Sequence, residues 1–569
     1  MDISKTQFKR YTKCGTYYPL DKIYYTHSLD DEDMDNIKHV LEGMFSDAGD
    51  DLVKLPDEKL EAFLEYYKET EKLALEEASR TFGKVFEYKE STKDQKSFSI
   101  SDTHGNTLYT YLDGYNEDDD EIIVVEVKAT TSKKFVELGY TKDKKLNPLF
   151  EKNDNIISLK KELSEKDYKV LEKLYNKDSD AGKYIYDLGI TKYIVSQSLK
   201  RNNVKKRVKY YLGILNSSYI KDENQEKLIC FVDCTSILDS YDEIIKVDYD
   251  RLVSVLNKPS LDNKKYENKC KSCEYFKICH ESLNVKNSIL KLIGKSKKVG
   301  DKTLEDLVNE GKTKLIDIPY DELTNINQII QRDVIDSHNE YINKDKIKKL
   351  IDTIEYPIYH LDFEGLNLPI PRFKGEKPYT QSLFQFSIHI ERSPGVCDYE
   401  KDHYSFLPDD FEDHREDLIK EMIRIIDLSK GGSVMVYNKG YESPAINKLA
   451  RIFKEYEDEL KLIDSKIVDL LDIVRGEVKT GVNFYHEDLE GSFSIKKVLP
   501  VFSKLSYKEL DVQNGNEAMI AYSSFKHLPK EDIELKRQEL IKYCGLDTYS
   551  MFIILNELRG RILWLTKKI

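Results

Sequence analysis

The segment IIVVEVKA, residues 122–129, constrains the fold of this chain more than any other part of its sequence. Its apolar, β-branched run predicts a buried strand. Glu126 and Lys128 interrupt that run two positions apart, so both side chains point to the same face of the strand. Because buried charges cost free energy when they are left alone, we expect a partner group or a metal ion beside them.

Asp113 ends the preceding strand of the same hairpin and can lie beside this pair, while an acidic turn, Asp118–Asp120, joins the two strands. Two carboxylates can hold Mg²⁺, and a lysine on the same face can position a water molecule and offset the charge that builds on a phosphate. A plain hairpin with surface charges accounts for the acidic turn, but it accounts less well for Glu126 and Lys128. The pattern therefore favours a candidate catalytic group of Asp113, Glu126 and Lys128.

The spacing of the cysteines indicates a second kind of site. The chain has eight Cys, and Cys270, Cys273 and Cys279 form a C-x2-C-x5-C run. Three thiols so close together in a reducing compartment indicate ligation of a soft metal, either zinc or an iron–sulfur cluster. Such a site needs a fourth ligand, for which Cys14 is the best candidate and His280 is a rival.

Composition favours a folded, cytoplasmic protein. The chain has 569 residues, of which 34% are charged and 11% aromatic, and no apolar run reaches the roughly 20 residues that span a bilayer. The first residues lack the apolar core of a signal peptide, so we expect no membrane partner. A net charge of −14 argues against a basic coat over the whole surface but allows a local groove. The basic run Leu199–Lys209 fits a solvated helix face and a phosphate-contacting patch equally well.

Periodicity divides the chain into two α/β units joined by a helical segment. Leu52–Lys84 and Ile157–Ser198 have a helical period, whereas Lys96–Ser132 alternates in the manner of strands. Val285–Thr353 is again helical, and a strand-rich region begins at Tyr356. We therefore expect an α/β front domain over 1–284, a helical connector over 285–350 and an α/β back domain over 351–569.

Carboxylates recur at three places in the back domain. The segment IYHLDFEG places Asp362 and Glu364 on one face of a strand, where the pair forms a platform for a divalent ion. Glu442 follows an apolar strand in the segment VMVYNKGYE. Tyr543 and Asp547 lie four residues apart on one face of a predicted helix. A buried Tyr and a capped Asp are the plain alternative for this last pair.

The front motifs resemble those of a nuclease family. The D-…-E-x-K pattern is that of PD-(D/E)XK nucleases, and its combination with one early and three late cysteines resembles the RecB-like members. The resemblance implies a restriction-endonuclease-like fold in which a [4Fe–4S] cluster ties together the two ends of the domain. The residues that carry the resemblance are Cys14, Asp113, Glu126, Lys128, Cys270, Cys273 and Cys279.

Two further positions belong to the RecB-like pattern. Such nucleases use an acidic residue or His on a helix upstream of the strands, and Glu76 or its neighbour Glu77 fits that place. They also carry a Gln or Tyr after an Asp on a downstream helix. Asp187 is present there, Thr191 stands where Gln is expected, and Tyr193 is a candidate substitute.

The back motifs resemble the DEDDy, DnaQ-like exonucleases, whose fold is RNase H-like. The three motifs of that family are D-x-E, N-x-x-[FY]-D and Y-x-x-x-D. The resemblance implies that Asp362, Glu364 and Asp547 hold one or two Mg²⁺ or Mn²⁺ ions, and that Tyr543 orients the attacking water in a 3′–5′ exonuclease reaction.

The second motif departs from the DnaQ-like family at one position. Glu442 stands where the family has Asp, and Asp469 is either a compensating acid or a capping residue. The order of the two domains resembles that of bacterial proteins that fuse a RecB-like front to a DnaQ-like back.

The sequence therefore predicts a Mg²⁺- or Mn²⁺-dependent nuclease. We expect its partner to be nucleic acid, with single-stranded DNA or DNA ends in preference to RNA. A different class of function is a nucleic-acid-binding scaffold in which one or both sites are inactive, which Thr191 and Glu442 motivate. A third alternative keeps a single active site.

Overall fold

A computed structural model describes residues 1–25, 31–44, 57–262, 265–294, 297–476 and 481–563. The chain forms two compact units, the first of residues 1–264 with 367–380 and the second of residues 265–366 with 381–569. Both units combine helices and sheets, so the protein is α/β, as the sequence predicts. None of the helices in the described part of the chain has the length and apolar character needed to cross a bilayer.

The first unit is built around a six-stranded sheet. The strands of the whole unit are β1 (Asp2–Ser4), β2 (Lys96–Ser101), β3 (Thr107–Leu112), β4 (Gly114–Glu117), β5 (Glu121–Thr131), β6 (Gly139–Lys142), β7 (Lys145–Pro148), β8 (Phe150–Asn153), β9 (Ile156–Leu159), β10 (Arg207–Leu215) and β11 (Ile229–Asp233). Its helices are α1 (Lys5–Tyr11), α2 (Tyr17–Tyr24), α3 (Asp31–Met44), α4 (Asp57–Phe82), α5 (Lys133–Val136), α6 (Glu165–Leu171), α7 (Gly182–Arg201) and α8 (Tyr241–Asn257). The large sheet has the order β4-β5-β10-β11-β9-β8, beside a β1-β3-β2 sheet and a β6-β7 hairpin.

Strand β5 is the IIVVEVKA segment, and it is buried in the large sheet as predicted. It pairs antiparallel with β4 and parallel with β10. Val125 and Val127 pack against Ala74 and Leu75 of α4 in an apolar core. Glu126 and Lys128 alternate with these valines and so point to the other face of the strand.

The second unit is built around a five-stranded sheet. The strands of the whole unit are β12 (Tyr341–Ile342), β13 (Ile358–Leu366), β14 (Ser382–Glu391), β15 (His403–Phe406), β16 (Ser433–Val436), β17 (Ile467–Asp469) and β18 (Phe484–Tyr485). Its helices are α9 (Phe276–Cys279), α10 (Leu304–Asn309), α11 (Ile326–Ser337), α12 (Lys344–Ile351), α13 (Arg415–Ile425), α14 (Lys439–Ile452), α15 (Glu457–Ser465), α16 (Leu470–Arg475), α17 (Ile495–Phe502), α18 (Gly515–Ser523) and α19 (Lys530–Leu563). The sheet order is β15-β14-β13-β16-β17, with β14 antiparallel to β13 and with β16 and β17 parallel to it.

The two faces of β13 have different environments. Leu361 and Phe363 join the apolar core that α13, α14 and α15 form with the sheet. Helix α19 lies along the other face, where the Gln385 side chain donates to the carbonyl of Leu540 at 2.9 Å. Because side chains alternate along a strand, the two acidic residues of β13 point towards α19.

The predicted connector over 285–350 belongs to the second unit. Residues 266–335 contain short helices that enclose a small apolar core of their own, which includes Tyr266, Leu283 and Leu307. Strand β12 pairs with β18, and Gln331 donates to the Tyr485 hydroxyl at 2.9 Å. The predicted boundary after residue 284 is therefore corrected to one between 264 and 265, because the core around Tyr266 begins before it. Residues 367–380, predicted in the back domain, belong to the first unit.

Two predicted helices differ in their bounds. The predicted helix over 157–198 is strand β9 followed by α6 and α7, with turns between them. The break before α7 has a local cause: a Cβ on Gly182 would lie 2.1 Å from the carbonyl oxygen of Asn176. The predicted helix over 52–84 is α4, and residues 52–56 lie outside the described part of the chain.

Candidate functional site

The acidic pair of β13 meets helix α19 in the second unit. The Cys544 thiol donates to Asp362 Oδ2 at 3.3 Å, which fixes the helix against the strand. Asp362 Oδ, Glu364 Oε and Cys544 Sγ lie within 4.8 Å of one another. Tyr543 and Asp547 flank Cys544 on the same helix, so the structure brings together motifs that are about 180 residues apart in the sequence.

Asp547 is buried and has a hydroxyl partner. The Tyr507 hydroxyl donates to Asp547 Oδ1 at 2.6 Å. Burial raises the pKa of Asp547, although Lys496 and Tyr507 act to lower it. The side chain therefore lies inside the cluster, in the middle of α19, and its hydroxyl partner is also compatible with the plain alternative of a buried Tyr and a capped Asp.

Glu442 joins the cluster from the first turn of α14. Its side chain is 2% exposed, and its Oε2 atom has no hydrogen-bond partner among the described residues. Burial and the nearby Asp362 raise the pKa of the Glu442 carboxyl. The longer side chain at this position thus keeps a carboxylate in the cluster.

The sequence left two roles open for Asp469, a compensating acid or a capping residue. The structure supports the capping role. Asp469 accepts hydrogen bonds from the backbone amides of Asn438 at 2.9 Å and Lys439 at 3.0 Å, and from Leu471 at 2.9 Å. Asn438 has a left-handed backbone with a φ of 81°, and α14 begins directly after it. Asp469 therefore fixes the loop that presents Glu442.

Tyr543 is buried beside two residues that the sequence motifs did not include. The Lys496 ammonium donates to the Tyr543 hydroxyl at 3.4 Å and lies 5.3 Å from the centre of its ring. The rings of Tyr507 and Tyr543 are 6.2 Å apart. The segments SFSIKKVLP and LSYKEL, which contain Lys496 and Tyr507, are distinctive in the sequence, but neither matches a short catalytic motif.

Negative charge dominates this cluster. Four carboxyl groups approach one another, those of Asp362, Glu364, Glu442 and Asp547. The Lys496 ammonium acts to lower the pKa of three of them, Asp362, Glu364 and Asp547. Burial and then Asp547 raise the pKa of Asp362, while burial, Asp362 and Asp547 raise the pKa of Glu364. Oxygen-rich, negatively charged clusters of this kind bind divalent cations.

The predicted front group also assembles, within the first unit. Asp113 Oδ2 accepts a hydrogen bond from the amide of Val127 at 2.7 Å, so it lies beside β5. Lys128 donates to Glu126 Oε1 at 2.8 Å. Burial and then Glu126 raise the pKa of Asp113 to about 7, although Lys128 acts to lower it. Sequence reasoning thus identified all three members of this group.

Lysines from α1 enter the same front cluster. Lys5 donates to Glu126 Oε1 at 2.6 Å, and Lys9 pairs with Asp187 at 2.9 Å. Lys128 pairs with Asp187 at 2.7 Å. Helix α1 is held in place by a capping box at Ser4, so these lysines are positioned by a well-formed helix start. The acidic groups of this cluster therefore have cationic partners from the chain itself.

The upstream acid of the front cluster requires a correction. Glu76 is on the exposed face of α4, so it does not meet Asp113 or Glu126. Glu77 is buried but pairs with Arg80 at 2.8 Å and accepts from Asn155 at 3.1 Å. Glu71, one turn earlier, is the residue of α4 that lies near the cluster. It is buried, and burial, Asp113 and then Glu71 raise the pKa of Tyr67, whose hydroxyl donates to the carbonyl of Val127.

The downstream helix α7 departs from the family pattern as the sequence indicates. Thr191 lies one turn after Asp187 and is buried, and its hydroxyl has no hydrogen-bond partner among the described residues. Tyr193 does not replace the expected Gln. Burial raises its pKa, as do Asp250 and Asp242 beside it, so its ring lies towards α8.

The four candidate cluster ligands are divided between the two units. Cys14 lies in the first unit, between α1 and α2, and its thiol contacts the Thr16 hydroxyl at 3.4 Å. Cys270, Cys273 and Cys279 lie in the second unit, around a short 3₁₀ turn (Asn268–Ser272) and α9. All four are partly buried.

Two other predicted features have plain structural roles. Arg207 and Lys209 of the basic run pair with Glu121 at 2.9 and 3.1 Å, and Lys206 pairs with Glu117 at 2.7 Å. These contacts favour ion pairing over phosphate contact, but the predicted helix face is wrong for most of the run, because α7 ends at Arg201 and Arg207–Lys209 belong to β10. Cys230 and Cys234 are fully buried and pack as small apolar residues.

Comparisons with known proteins cover part of the chain. A family model described as a domain of unknown function, DUF2779, matches residues 359–494, a range that includes β13 and Glu442 and ends before α19. The uncharacterized protein UU173 of Ureaplasma parvum serovar 3 is 31% identical over 169 residues, which are 27% of this chain and 24% of that protein. The match therefore spans about a quarter of the length of this relative. No solved structure matches the chain.

Proposed function

We propose that this protein is a divalent-metal-dependent nuclease that hydrolyses phosphodiester bonds at the acidic cluster of its second unit. The observation that carries the proposal is the convergence of Asp362, Glu364, Glu442 and Asp547 from three separate elements. Buried carboxylates repel one another unless a cation compensates them, and no packing argument explains why four of them would meet. A phosphodiester is a substrate that such a cation site can activate.

The topology of the second unit supports an RNase H-like, DnaQ-like assignment. The strand that carries the D-x-E pair is central in the order β15-β14-β13-β16-β17, and among the described strands of this sheet β14 is the one that runs antiparallel to both of its neighbours, β13 and β15. The helix that carries the Y-x-x-x-D pair packs on that central strand. These are the relations that the resemblance to DEDDy exonucleases implies, so a 3′–5′ exonuclease is the proposed activity.

The residues of the cluster have different roles in the proposed reaction. Asp362, Glu364 and Asp547 would hold Mg²⁺ or Mn²⁺, which when bound supplies charge neutralisation at the phosphate and activation of the attacking water. The Tyr543 hydroxyl orients that water. Lys496, which donates to Tyr543, holds this hydroxyl in place and adds positive charge beside the phosphate.

The first unit carries a second candidate site of the PD-(D/E)XK type. Asp113, Glu126 and Lys128 are gathered there, which supports a RecB-like, restriction-endonuclease-like domain. The ion pairs from Lys5, Lys9 and Lys128 favour the alternative function for this unit, namely nucleic-acid binding without cleavage. Carboxylates already compensated by lysines gain less from a metal ion than those of the second unit.

A [4Fe–4S] cluster is part of the proposal for the front of the chain. The resemblance to RecB-like nucleases assigns it to Cys14, Cys270, Cys273 and Cys279, and these are partly buried thiols of the kind that can bind iron. Protein purified without oxygen should be brown and contain iron and acid-labile sulfide. A colourless protein with one bound zinc would rule out the iron–sulfur assignment.

The test of the proposed function uses labelled single-stranded DNA and RNA with Mg²⁺ or Mn²⁺. We expect mononucleotides to be released from unblocked 3′ ends, with DNA degraded in preference to RNA, and circular DNA to be resistant. Asp362→Asn should abolish this activity, because it removes a charge from the centre of the cluster. Asp458→Asn is the matched control, since Asp458 is an exposed acid of the same unit.

The variant Asp113→Asn separates the two units. If the second unit alone cuts, this variant degrades DNA at the wild-type rate. Equal degradation by wild type and Asp362→Asn would exclude the second-unit site, and loss of activity only in Asp113→Asn would move the chemistry to the first unit.

A further inference from the structure

The acidic cluster of the second unit contains a sulfur atom that the exonuclease motifs do not include. Cys544 lies between Tyr543 and Asp547 in the sequence of α19, and its side chain is fully buried. Its Sγ atom is 3.3 Å from Asp362 Oδ2, and it lies within 4.8 Å of both the Asp362 and the Glu364 ligand atoms. The thiol is thus as close to the two acids of the D-x-E pair as a shared ion would require.

A second observation in the same cluster points to a cation. The Glu442 carboxyl is buried, and its Oε2 atom has no hydrogen-bond partner among the described residues. Its pKa is raised by burial and by Asp362, so the two acids are close in space. An unsatisfied buried oxygen beside two more carboxylates is a typical neighbour of a metal ion.

The identity of the donors determines which cations bind well. Mg²⁺ takes oxygen ligands in near-ideal octahedral geometry and has little affinity for sulfur. Mn²⁺, Co²⁺, Zn²⁺ and Cd²⁺ accept carboxylate oxygen, and their affinity for thiolate rises towards the softer ions. A site with two carboxylates and one thiol therefore discriminates against Mg²⁺.

We propose that Asp362, Glu364 and Cys544 form a mixed oxygen–sulfur site that takes a thiophilic divalent transition ion in preference to Mg²⁺. This inference rests on the proposed function, because it names the kind of ion used at the same site. When the ion binds, the Cys544 S–H bond breaks, the electron pair of sulfur forms the bond to the metal, and the proton passes to solvent. No oxidation or reduction takes place.

The test is a titration of the full-length protein with Cd²⁺ and Co²⁺, followed by the ultraviolet sulfur-to-metal charge-transfer band. Cysteines elsewhere in the chain add to this band, so the informative quantity is the part that Asp362→Asn removes. We expect Cys544→Ser to remove the same part, and Cys397→Ser to leave it intact. Cys397 is the matched control because it is a partly buried cysteine of the same unit outside the cluster.

Competition between ions gives a second measurement. We expect Cys544→Ser to lower the affinity for Co²⁺ or Cd²⁺ by about tenfold or more while leaving that for Mg²⁺ within a factor of about two. Calorimetry in buffers of different ionisation enthalpy should also show that the wild type releases one more proton per ion than Cys544→Ser. Circular dichroism and thermal unfolding of Cys544→Ser and Cys544→Ala establish that both variants fold.

The outcomes separate this inference from the proposed function. If Cys544→Ser keeps the charge-transfer band and the wild-type ratio of affinities, while Asp362→Asn abolishes cleavage, then the nuclease proposal stands and the sulfur ligand is excluded. If Asp362→Asn cleaves at the wild-type rate, while both Asp362→Asn and Cys544→Ser lose the same part of the charge-transfer band, then the metal site stands and the nuclease assignment fails.

Discussion

Glu126 and Asp362 occupy the same kind of position, a charged side chain on an apolar strand, yet their surroundings have opposite charge. Glu126 accepts hydrogen bonds from Lys5 and Lys128. Asp362 instead faces other acids: burial and then Asp547 raise its pKa, and burial, Asp362 and Asp547 raise the pKa of Glu364. At the scale of single residues, this contrast is the reason why we propose the divalent cation for the second unit rather than for the first.

Neutralising Asp362 should stabilise the metal-free protein. Its pKa is raised by burial and then by Asp547, so the unfolded state releases this proton at lower pH than the folded state does. In the presence of a chelator, the contribution of Asp362 to stability should therefore fall as the pH rises above the unfolded Asp pKa of about 4, and Asp362→Asn should remove that loss, which is about 1.4 kcal/mol for each pKa unit. Thermal unfolding with and without chelator measures the effect.

The same variant should lose the stabilisation that divalent ions give to the wild type. Asp458→Asn should keep the wild-type dependence on pH and on metal ion. A variant Asp362→Asn that is less stable than wild type in chelator at pH 8 would show that the carboxylate is paired rather than repelled.

Lys496 should act through the position of Tyr543. We expect Lys496→Met to lower kcat about 100-fold with a smaller change in KM, because the tyrosine hydroxyl loses its cationic neighbour and the phosphate loses nearby positive charge. Lys496→Arg should recover part of the activity. The control is Lys497→Met, since Lys497 is exposed and pairs with Glu490 at 3.2 Å. Equal losses in both variants would mean a general electrostatic effect.

Helix α1 and strand β5 depend on each other through buried charges. Lys5 and Glu126 are each almost fully buried, and their side chains are 6% and 2% exposed. Removing Lys5 leaves Glu126 with Lys128 as a remaining cationic partner, so the buried charge is less well compensated, at a cost of up to about 3 kcal/mol. Lys5→Met should therefore lower the protection of β5 peptides in hydrogen–deuterium exchange.

The exposed pair Lys133 and Glu137 provides a matched control for this prediction. Its atoms are 4.0 Å apart and both side chains are more than half exposed. Lys133→Met should change the protection by no more than about 0.5 kcal/mol. Wild-type protection of β5 in Lys5→Met would mean that the ion pair contributes nothing to the fold of the first unit.

Buried histidines join α19 to β14. His389 contacts the Thr548 hydroxyl of α19 at 2.7 Å, and its ring is 4.6 Å from that of His403. Burial and then His403 lower the pKa of His389 to about 3. The helix that carries Tyr543 and Asp547 is therefore held by neutral imidazoles.

Acidification should weaken this contact between helix and sheet. A histidine whose folded pKa lies below its unfolded value of about 6.5 contributes stability above that pH, and the contribution is lost as the pH falls through the window between about 6.5 and 3. The contribution of His389 to the free energy of unfolding, taken as the difference between wild type and His389→Asn, should fall by about 2 kcal/mol between pH 7 and 5. We expect His389→Asn to flatten the decline of stability with falling pH by that amount. Replacement of the exposed His338 by Gln should leave the decline unchanged, and an equal slope in both variants would contradict the assignment to His389.

At the scale of the whole molecule, local chemistry was easier to predict than domain limits. Strand β5, the D-x-E pair of β13 and the Y-x-x-x-D pair of α19 follow from alternation and helical period, and the structure brings their residues together as the sequence indicates. Each of these patterns is local, so a single stretch of sequence contains the whole signal.

Features that depend on tertiary packing could not be predicted from the sequence. The choice of Glu71 over Glu76 depends on how α4 rotates against β5, and both acids look alike in an amphipathic helix. Lys5, Lys496 and Tyr507 reach their clusters from distant segments. The assignment of residues 367–380 to the first unit is a long-range effect that no local period encodes.

The central claim is that acidic residues from segments of the second unit that are distant in sequence bind a divalent ion. Anomalous diffraction at the manganese edge, from crystals grown with Mn²⁺, tests it directly. We predict a peak between Asp362 and Glu364, within bonding distance of both carboxylates, that disappears in Asp362→Asn. A map with Mn²⁺ peaks elsewhere in the second unit and none between these two side chains would contradict the account.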